Sequence, residues 1–225
     1  MNRRIKKVAV LGSGIMGAGI ACHFANIGVE VLLLDIVPKK PNDLEKKKGL
    51  DTTYPAVRNR IVNTNLAAAI KSKPAPLYHP NFKARIQTGN FEDDMPKLAG
   101  VDWIIEVVVE RLDIKKLVFE QVEQHRTPGT LVSSNTSGIT IKFMNEGRSK
   151  DFQEHFTVTH FFNPPRYLKL FEVVPGPNCK LEVVDFLMNY GTRFLGKSAV
   201  LAKDTPAFIG NRIGIFCIQS LFHQM

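Results

Sequence analysis

The chain has 225 residues, 44% hydrophobic and 23% charged, which excludes a disordered, collagenous or coiled-coil protein as the main architecture. That length fits one large domain, or one domain and the start of a second. Thirty Lys and Arg against 21 Asp and Glu give a net charge of +9, which favours anionic partners without choosing among phosphates, nucleotides and membranes. Cys22, Cys179 and Cys217 are far apart and form no Cys-x-x-Cys or Cys/His cluster, so they read as reduced thiols of a cytoplasmic protein with no metal site.

In chain order, Lys7–Leu11 is a short apolar run ending in glycine and reads as a buried strand. Ile15–Asn26 reads as a helix stopped by Gly28, and residues 30–34 as a second strand closed by Asp35. Basic residues followed by the uncharged run 8–29 mimic a signal peptide or a membrane span. Gly12, Gly14, Gly17, Gly19 and Gly28 lower its hydrophobicity, and it continues straight into a strand, so neither export nor a membrane partner is expected. Residues 38–49 are a Lys-rich loop leading into a helical arm at 57–73, ended by Pro74, Pro76 and Pro80. Strands are expected at 85–88, 102–109 and 130–133, with an amphipathic helix at 113–124. Residues 157–162 and 170–174 read as an antiparallel pair joined by Asn163-Pro164-Pro165. A helix at 181–194, a strand at 198–202 and a last helix from Thr205-Pro206 to Met225 complete the chain. The fold class expected is α/β: a Rossmann-type doubly wound sheet, mostly parallel, antiparallel at its C-terminal side, with a helical arm after the second strand.

Gly12-Ser13-Gly14-Ile15-Met16-Gly17 is G-x-G-x-x-G between a strand and a helix, and Asp35 follows at the end of the next strand. In that setting the motif points to a dinucleotide site. Gly12 permits the tight turn, Gly14 lets backbone approach a pyrophosphate, and Gly17 allows close helix–strand packing. The helix start offers free N–H groups to phosphate. Asp35 can accept two hydrogen bonds from ribose hydroxyls and would repel a 2′-phosphate; no arginine follows it, so NAD is expected rather than NADP.

Oxidation of a hydroxyl to a ketone needs a base near neutral pH, and histidine suits it. His23, His79, His125, His155 and His223 read as structural or solvated by position. His160 lies on an apolar strand and is either a hydrogen-bonded core residue or a base; Glu172 on the following strand is placed to orient it. The cluster Ser133-Ser134-Asn135-Thr136-Ser137 follows a strand end, where ligands collect in doubly wound sheets, though turns and caps use the same residues.

The stretches VLGSGIMGAGIACHFANIGVEVLLLD, DWIIEVVVER, SSNTSG, HFFNPPRYLKLFEVV and KDTPAFIGNR occur in the order found in the L-3-hydroxyacyl-CoA dehydrogenases of fatty-acid β-oxidation. The chain resembles that family over residues 5–215, and most closely its branch in bacterial multifunctional enzymes, where a hydratase-like domain can share the polypeptide. The resemblance implies oxidation of (S)-3-hydroxyacyl-CoA to 3-oxoacyl-CoA. It makes His160 the general base, Glu172 its orienting partner, and Ser137 and Asn211 donors to the reacting oxygen. It places Glu110, Lys115, Ser137 and Asn163 at the nicotinamide end. Asn65, Lys71 and Lys73 are the candidates for binding coenzyme A; a solvated helix face is the alternative. Gly138, Ala207 and Arg111 depart from the usual serine, glycine and Asn or Asp. The family also carries a helical domain that covers the acyl cleft and makes a homodimer. Residues 1–203 are therefore expected to form the NAD-binding domain and 204–225 the first helix of a second. The chain is read as a truncated domain with weak or no turnover of its own. The alternatives are a related hydroxy-acid dehydrogenase without CoA and a non-catalytic NAD-binding module; no aromatic-basic motif favours nucleic acid.

Overall fold

The computed structural model describes residues 3–224. Eight strands form one sheet: β1 (Lys7–Leu11), β2 (Glu30–Asp35), β3 (Ile86–Asn90), β4 (Trp103–Glu106), β5 (Leu131–Ser134), β6 (Phe156–Phe161), β7 (Leu170–Pro175) and β8 (Ser198–Leu201). Their order is β3-β2-β1-β4-β5-β6-β7-β8. All neighbours are parallel except β6 and β7, so the expected doubly wound sheet with an antiparallel C-terminal side is the architecture found. The helices are α1 (Ile15–Asn26), α2 (Asp43–Lys47), α3 (Pro55–Arg58), α4 (Arg60–Lys71), α5 (Leu112–His125), α6 (Ile141–Asn145), α7 (Lys150–Glu154), α8 (Leu181–Arg193) and α9 (Gly210–Phe222).

Alternation along the strands builds two cores. Val8 and Val10, Val31 and Leu33, and Trp103 and Ile105 face α1, α4 and α8. Ala9 and Leu11, Leu32 and Leu34, and Ile104 face α5, α6 and α7. Helix α1 is buried on all sides from Gly17 to Asn26, which explains why its sequence is apolar all round and imitates a leader. Among the described residues, no helix is long and apolar enough to cross a membrane.

Three boundaries differ from expectation. Strand β4 stops at Glu106, because Val108 N–H is taken by the Glu106 carboxylate. The arm is split into α3 and α4 at Asn59 rather than forming one helix. The last helix starts at Gly210, not at Thr205, because Ala207 and Phe208 adopt φ of 62° and 46°. Met225 lies outside the described residues.

His23 is a buried histidine of α1. One ring nitrogen, Nε2, pairs with Leu195 O at 3.0 Å, while Nδ1 has no hydrogen-bond partner. Burial, aided by the nearby Lys197 ammonium, pushes its pKa from 6.5 down to about 4. Between those values the unfolded chain holds a proton that the folded chain lacks, so stability falls as pH drops from 6.5 towards 4. The loss attributable to this group is about 3 kcal/mol. Urea unfolding of His23→Gln should show a correspondingly smaller difference between neutral and acidic pH than wild type.

Candidate functional site

The G-x-G-x-x-G turn runs from the end of β1 into α1. Gly12 has φ +104°, and a Cβ on it would lie 2.6 Å from Val107 O. A Cβ on Gly17 would lie 1.8 Å from Gly12 O, so α1 can start there only against a glycine. A Cβ on Gly14 would meet nothing within 4 Å, which leaves its backbone open to an approaching ligand. Helix α1 has no side-chain cap and no acidic residue in its first turn. Exposed N–H groups beside an open glycine fit a pyrophosphate. Ile15 stands exposed at the mouth of the turn, and Met16 packs against the core.

Asp35 is already engaged. Its Oδ2 accepts Ser13 N–H at 2.7 Å and the Ser13 hydroxyl, and its Oδ1 accepts Ile36 N–H at 2.7 Å. A carboxylate offers about four acceptor directions. Where two were expected for ribose hydroxyls, one remains open, because Ser13 fills both directions of Oδ2.

The sheet register assembles the second group. His160 on β6 is directly opposite Glu172 on β7, which puts both side chains on one face. The His160 Nδ1 to Glu172 Oε2 distance is 2.7 Å, and both residues are buried. A carboxylate at Nδ1 keeps the proton on that nitrogen and turns the Nε2 lone pair outward. Nε2 lies 3.4 Å from Ser137 Oγ, with Phe162 and Phe208 as neighbouring rings at 4.4 and 5.9 Å. The second Glu172 oxygen accepts Ile209 N–H at 3.0 Å and Gly210 N–H at 2.7 Å. One buried carboxylate thus fixes both the imidazole and the start of α9, next to Asn211.

The five polar residues 133–137, at the end of β5 and just beyond it, divide their labour. Ser133 Oγ accepts Trp103 Nε1–H and the Thr159 hydroxyl. Ser134 donates to Glu106, Asn135 accepts Phe161 N–H, and Thr136 donates to Glu110. Only Ser137 of the five is exposed, and its N–H donates to Glu110 at 2.9 Å.

Lys115 is not at the surface. It is 1% exposed, and its ammonium sits 2.8 Å from Glu106 and 3.3 Å from Glu110. Its route to the cleft is through Glu110. Against the upward pull of burial, Thr136, the Lys115 charge and Ser137 N–H hold the Glu110 carboxyl below its ordinary value. Glu106 moves the other way, raised by burial against the Lys115 charge. Glu106 escaped the sequence reading; a lone acid in an apolar strand, nine residues before a lysine, was its only signal.

Two clefts flank these groups. One contains Glu110, Ser137, Phe162 and Asn211. The other, about 420 Å³, lies between Ser13-Gly14-Ile15, Asn65 and Ser72 of the arm, and the turn 163–167. Asn163 lines this second cleft. Lys197 holds that turn by donating to Pro165 O and to Leu168 O. Burial depresses its pKa to about 8. Asn65 Nδ2 donates to Ser13 Oγ at 3.0 Å, and Lys71 and Lys73 are exposed on either side of Ser72. Eleven Lys and Arg against three Asp and Glu lie between residues 38 and 85, so this segment holds 11 − 3 = +8 of the chain's net charge of +9. No group of three or more metal-ligating side chains occurs among the described residues.

Residues 7–205 match the family profile described as 3-hydroxyacyl-CoA dehydrogenase, NAD binding domain. The chain belongs to this family. As a dehydrogenase NAD-binding domain it takes NAD. Over its whole length it is 52% identical to a Bacillus subtilis protein named as a 3-hydroxyacyl-CoA dehydrogenase, of which it covers 28%. It is 37% identical, over 97% of its length, to a Rickettsia felis protein named as a fatty acid oxidation complex trifunctional enzyme, again covering 28% of it. A solved 3-hydroxybutyryl-CoA dehydrogenase of Escherichia coli superposes with a TM-score of 0.72 at 30% identity, covering 99% of this chain and 44% of that one. The dehydrogenase domain therefore spans less than half the length of each of these relatives.

Proposed function

We propose that this domain serves the NAD-dependent oxidation of (S)-3-hydroxyacyl-CoA to 3-oxoacyl-CoA in fatty-acid β-oxidation. The observation that carries the reading is the buried His160–Glu172 pair, with Nε2 turned towards Ser137 at the carboxyl edge of the sheet. His160 Nε2 takes the proton of the 3-hydroxyl as the C3 hydride leaves, and the C–O bond becomes a carbonyl. Glu172 holds the ring and stabilises the imidazolium. Ser137 and Asn211 donate to the reacting oxygen. NAD, when bound, supplies the hydride acceptor. Gly12, Gly14, Ile15, Met16 and Gly17 form its pyrophosphate turn, Asp35 its ribose acceptor, and Glu110, Lys115, Ser137 and Asn163 its nicotinamide end. In the reverse reaction His160 returns the proton.

The positive arm supports an anionic substrate, and we assign Lys71 and Lys73 to the phosphates of coenzyme A. Residues 1–203 then form the NAD-binding domain, and 204–225 open a helical domain that covers the apolar face of α9, where Ile213, Phe216, Leu221 and Phe222 are exposed. We infer a homodimer for the complete protein, a hydratase-like domain in the same polypeptide, as the name of the Rickettsia relative supports, and a cytoplasmic location, in keeping with three free cysteines. The test is single-turnover NADH formation with protein in excess, using (S)-3-hydroxybutyryl-CoA and free (S)-3-hydroxybutyrate. Oxidation of the CoA ester, inhibited by free CoA, is expected. Equal oxidation of the free acid, unaffected by CoA, would favour a hydroxy-acid dehydrogenase instead.

A further inference from the structure

Ser13 is fully buried and joins two parts of the chain that are 52 residues apart in sequence. The Asn65 amide donates to Ser13 Oγ at 3.0 Å. Ser13 Oγ donates in turn to Asp35 Oδ2, which also accepts Ser13 N–H. No hydrogen bond joins Asn65 to Asp35 directly; among the described residues the only polar link between α4 and the Asp35 carboxylate is the Ser13 hydroxyl. An oxygen that accepts a hydrogen bond becomes a better donor, so the Asn65 amide strengthens the grip of Ser13 on Asp35.

We propose that Asn65 is a positioning residue for the cofactor, acting through Ser13 to hold the Asp35 carboxylate with one acceptor direction presented to the adenosine ribose. Helix α4 is then part of the NAD site as well as a wall of the arm cleft. A ligand that shifts α4 in that cleft is felt at Asp35, and cofactor binding is felt at α4 in equal measure, because coupling between two binding equilibria is reciprocal. The inference rests on NAD binding at the glycine turn, and goes beyond it in giving an arm residue a cofactor role.

A double-mutant cycle on NAD affinity, read by calorimetric titration of this chain, tests it. Asn65→Ala should weaken NAD binding by about three- to tenfold, the worth of one hydrogen bond. It should also narrow the preference for NAD over NADP, since a loosened Asp35 excludes the 2′-phosphate less well. In a Ser13→Ala background the same Asn65→Ala change should have no further effect on either quantity. Loss of helix packing, or a direct contact from Asn65 to NAD, would instead weaken binding equally in both backgrounds. Asn65→Asp keeps the side-chain shape, removes the donor, and should repeat the loss where the alanine variant loosens α4. Equal effects of Asn65→Ala with and without the Ser13 hydroxyl, or no effect in wild type, would overturn the proposal. A wild-type chain that fails to bind NAD would overturn the cofactor assignment beneath it as well.

Discussion

Gly17→Ala should cut NAD affinity by about ten- to a hundredfold and lower the unfolding midpoint. The added Cβ would sit 1.8 Å from Gly12 O, and that neighbour is backbone that cannot rotate away. The first turn of α1 must lift from the end of β1, which costs about 1–3 kcal/mol as an overpacked contact and displaces the N–H groups that meet the pyrophosphate. Gly14→Ala is the informative contrast. Its Cβ would meet nothing within 4 Å, so the variant should fold with wild-type stability. The methyl group would nevertheless stand where backbone must approach the phosphates, and affinity should fall without a change in unfolding. Calorimetric titration beside urea denaturation separates the two variants. Wild-type affinity in both would mean that the cofactor does not use this turn.

Glu172→Ala should destabilise the chain by about 3–5 kcal/mol, since each buried donor it leaves unsatisfied costs about 1–3 kcal/mol. The carboxylate is fully buried and serves three groups: His160 Nδ1, Ile209 N–H and Gly210 N–H. Its loss leaves the imidazole unoriented and two N–H groups at the head of α9 without an acceptor. Ser137→Ala, at an exposed position, should leave the urea midpoint unchanged. If Glu172→Ala unfolds at the wild-type midpoint, the carboxylate is not holding this corner together.

Local signals made much of the fold readable. The unit from β1 through α1 to β2 is written in one apolar strand, a run of glycines and a closing Asp, all within thirty residues. The β6–β7 pair was readable because two β-branched runs flank a proline turn, and strand alternation then brings His160 and Glu172 to one face. The second task of Glu172, capping α9, depends on residues 37 and 38 positions further on, which no local pattern reveals. Helices α6 and α7 were missed because five residues are too few to show a helical period. The start of α9 was misplaced because Ala207 takes a left-handed conformation that a non-glycine residue rarely signals. The serine cluster was ambiguous for a different reason. Four of its five residues are structural, and only burial tells them from Ser137. The Asn65–Ser13–Asp35 chain had no trace in the sequence, since its members come from the arm, the glycine turn and the end of β2.

The most direct measurement is single-turnover NADH formation from (S)-3-hydroxybutyryl-CoA by wild type and His160→Gln, with protein in excess and NAD saturating. Glutamine keeps the bulk and a hydrogen bond but cannot take the proton. A rate lower by about 10²–10⁴-fold, with NAD affinity unchanged, is the result expected of a general base at this position. Equal rates in the two proteins would contradict it and remove His160 from the chemistry.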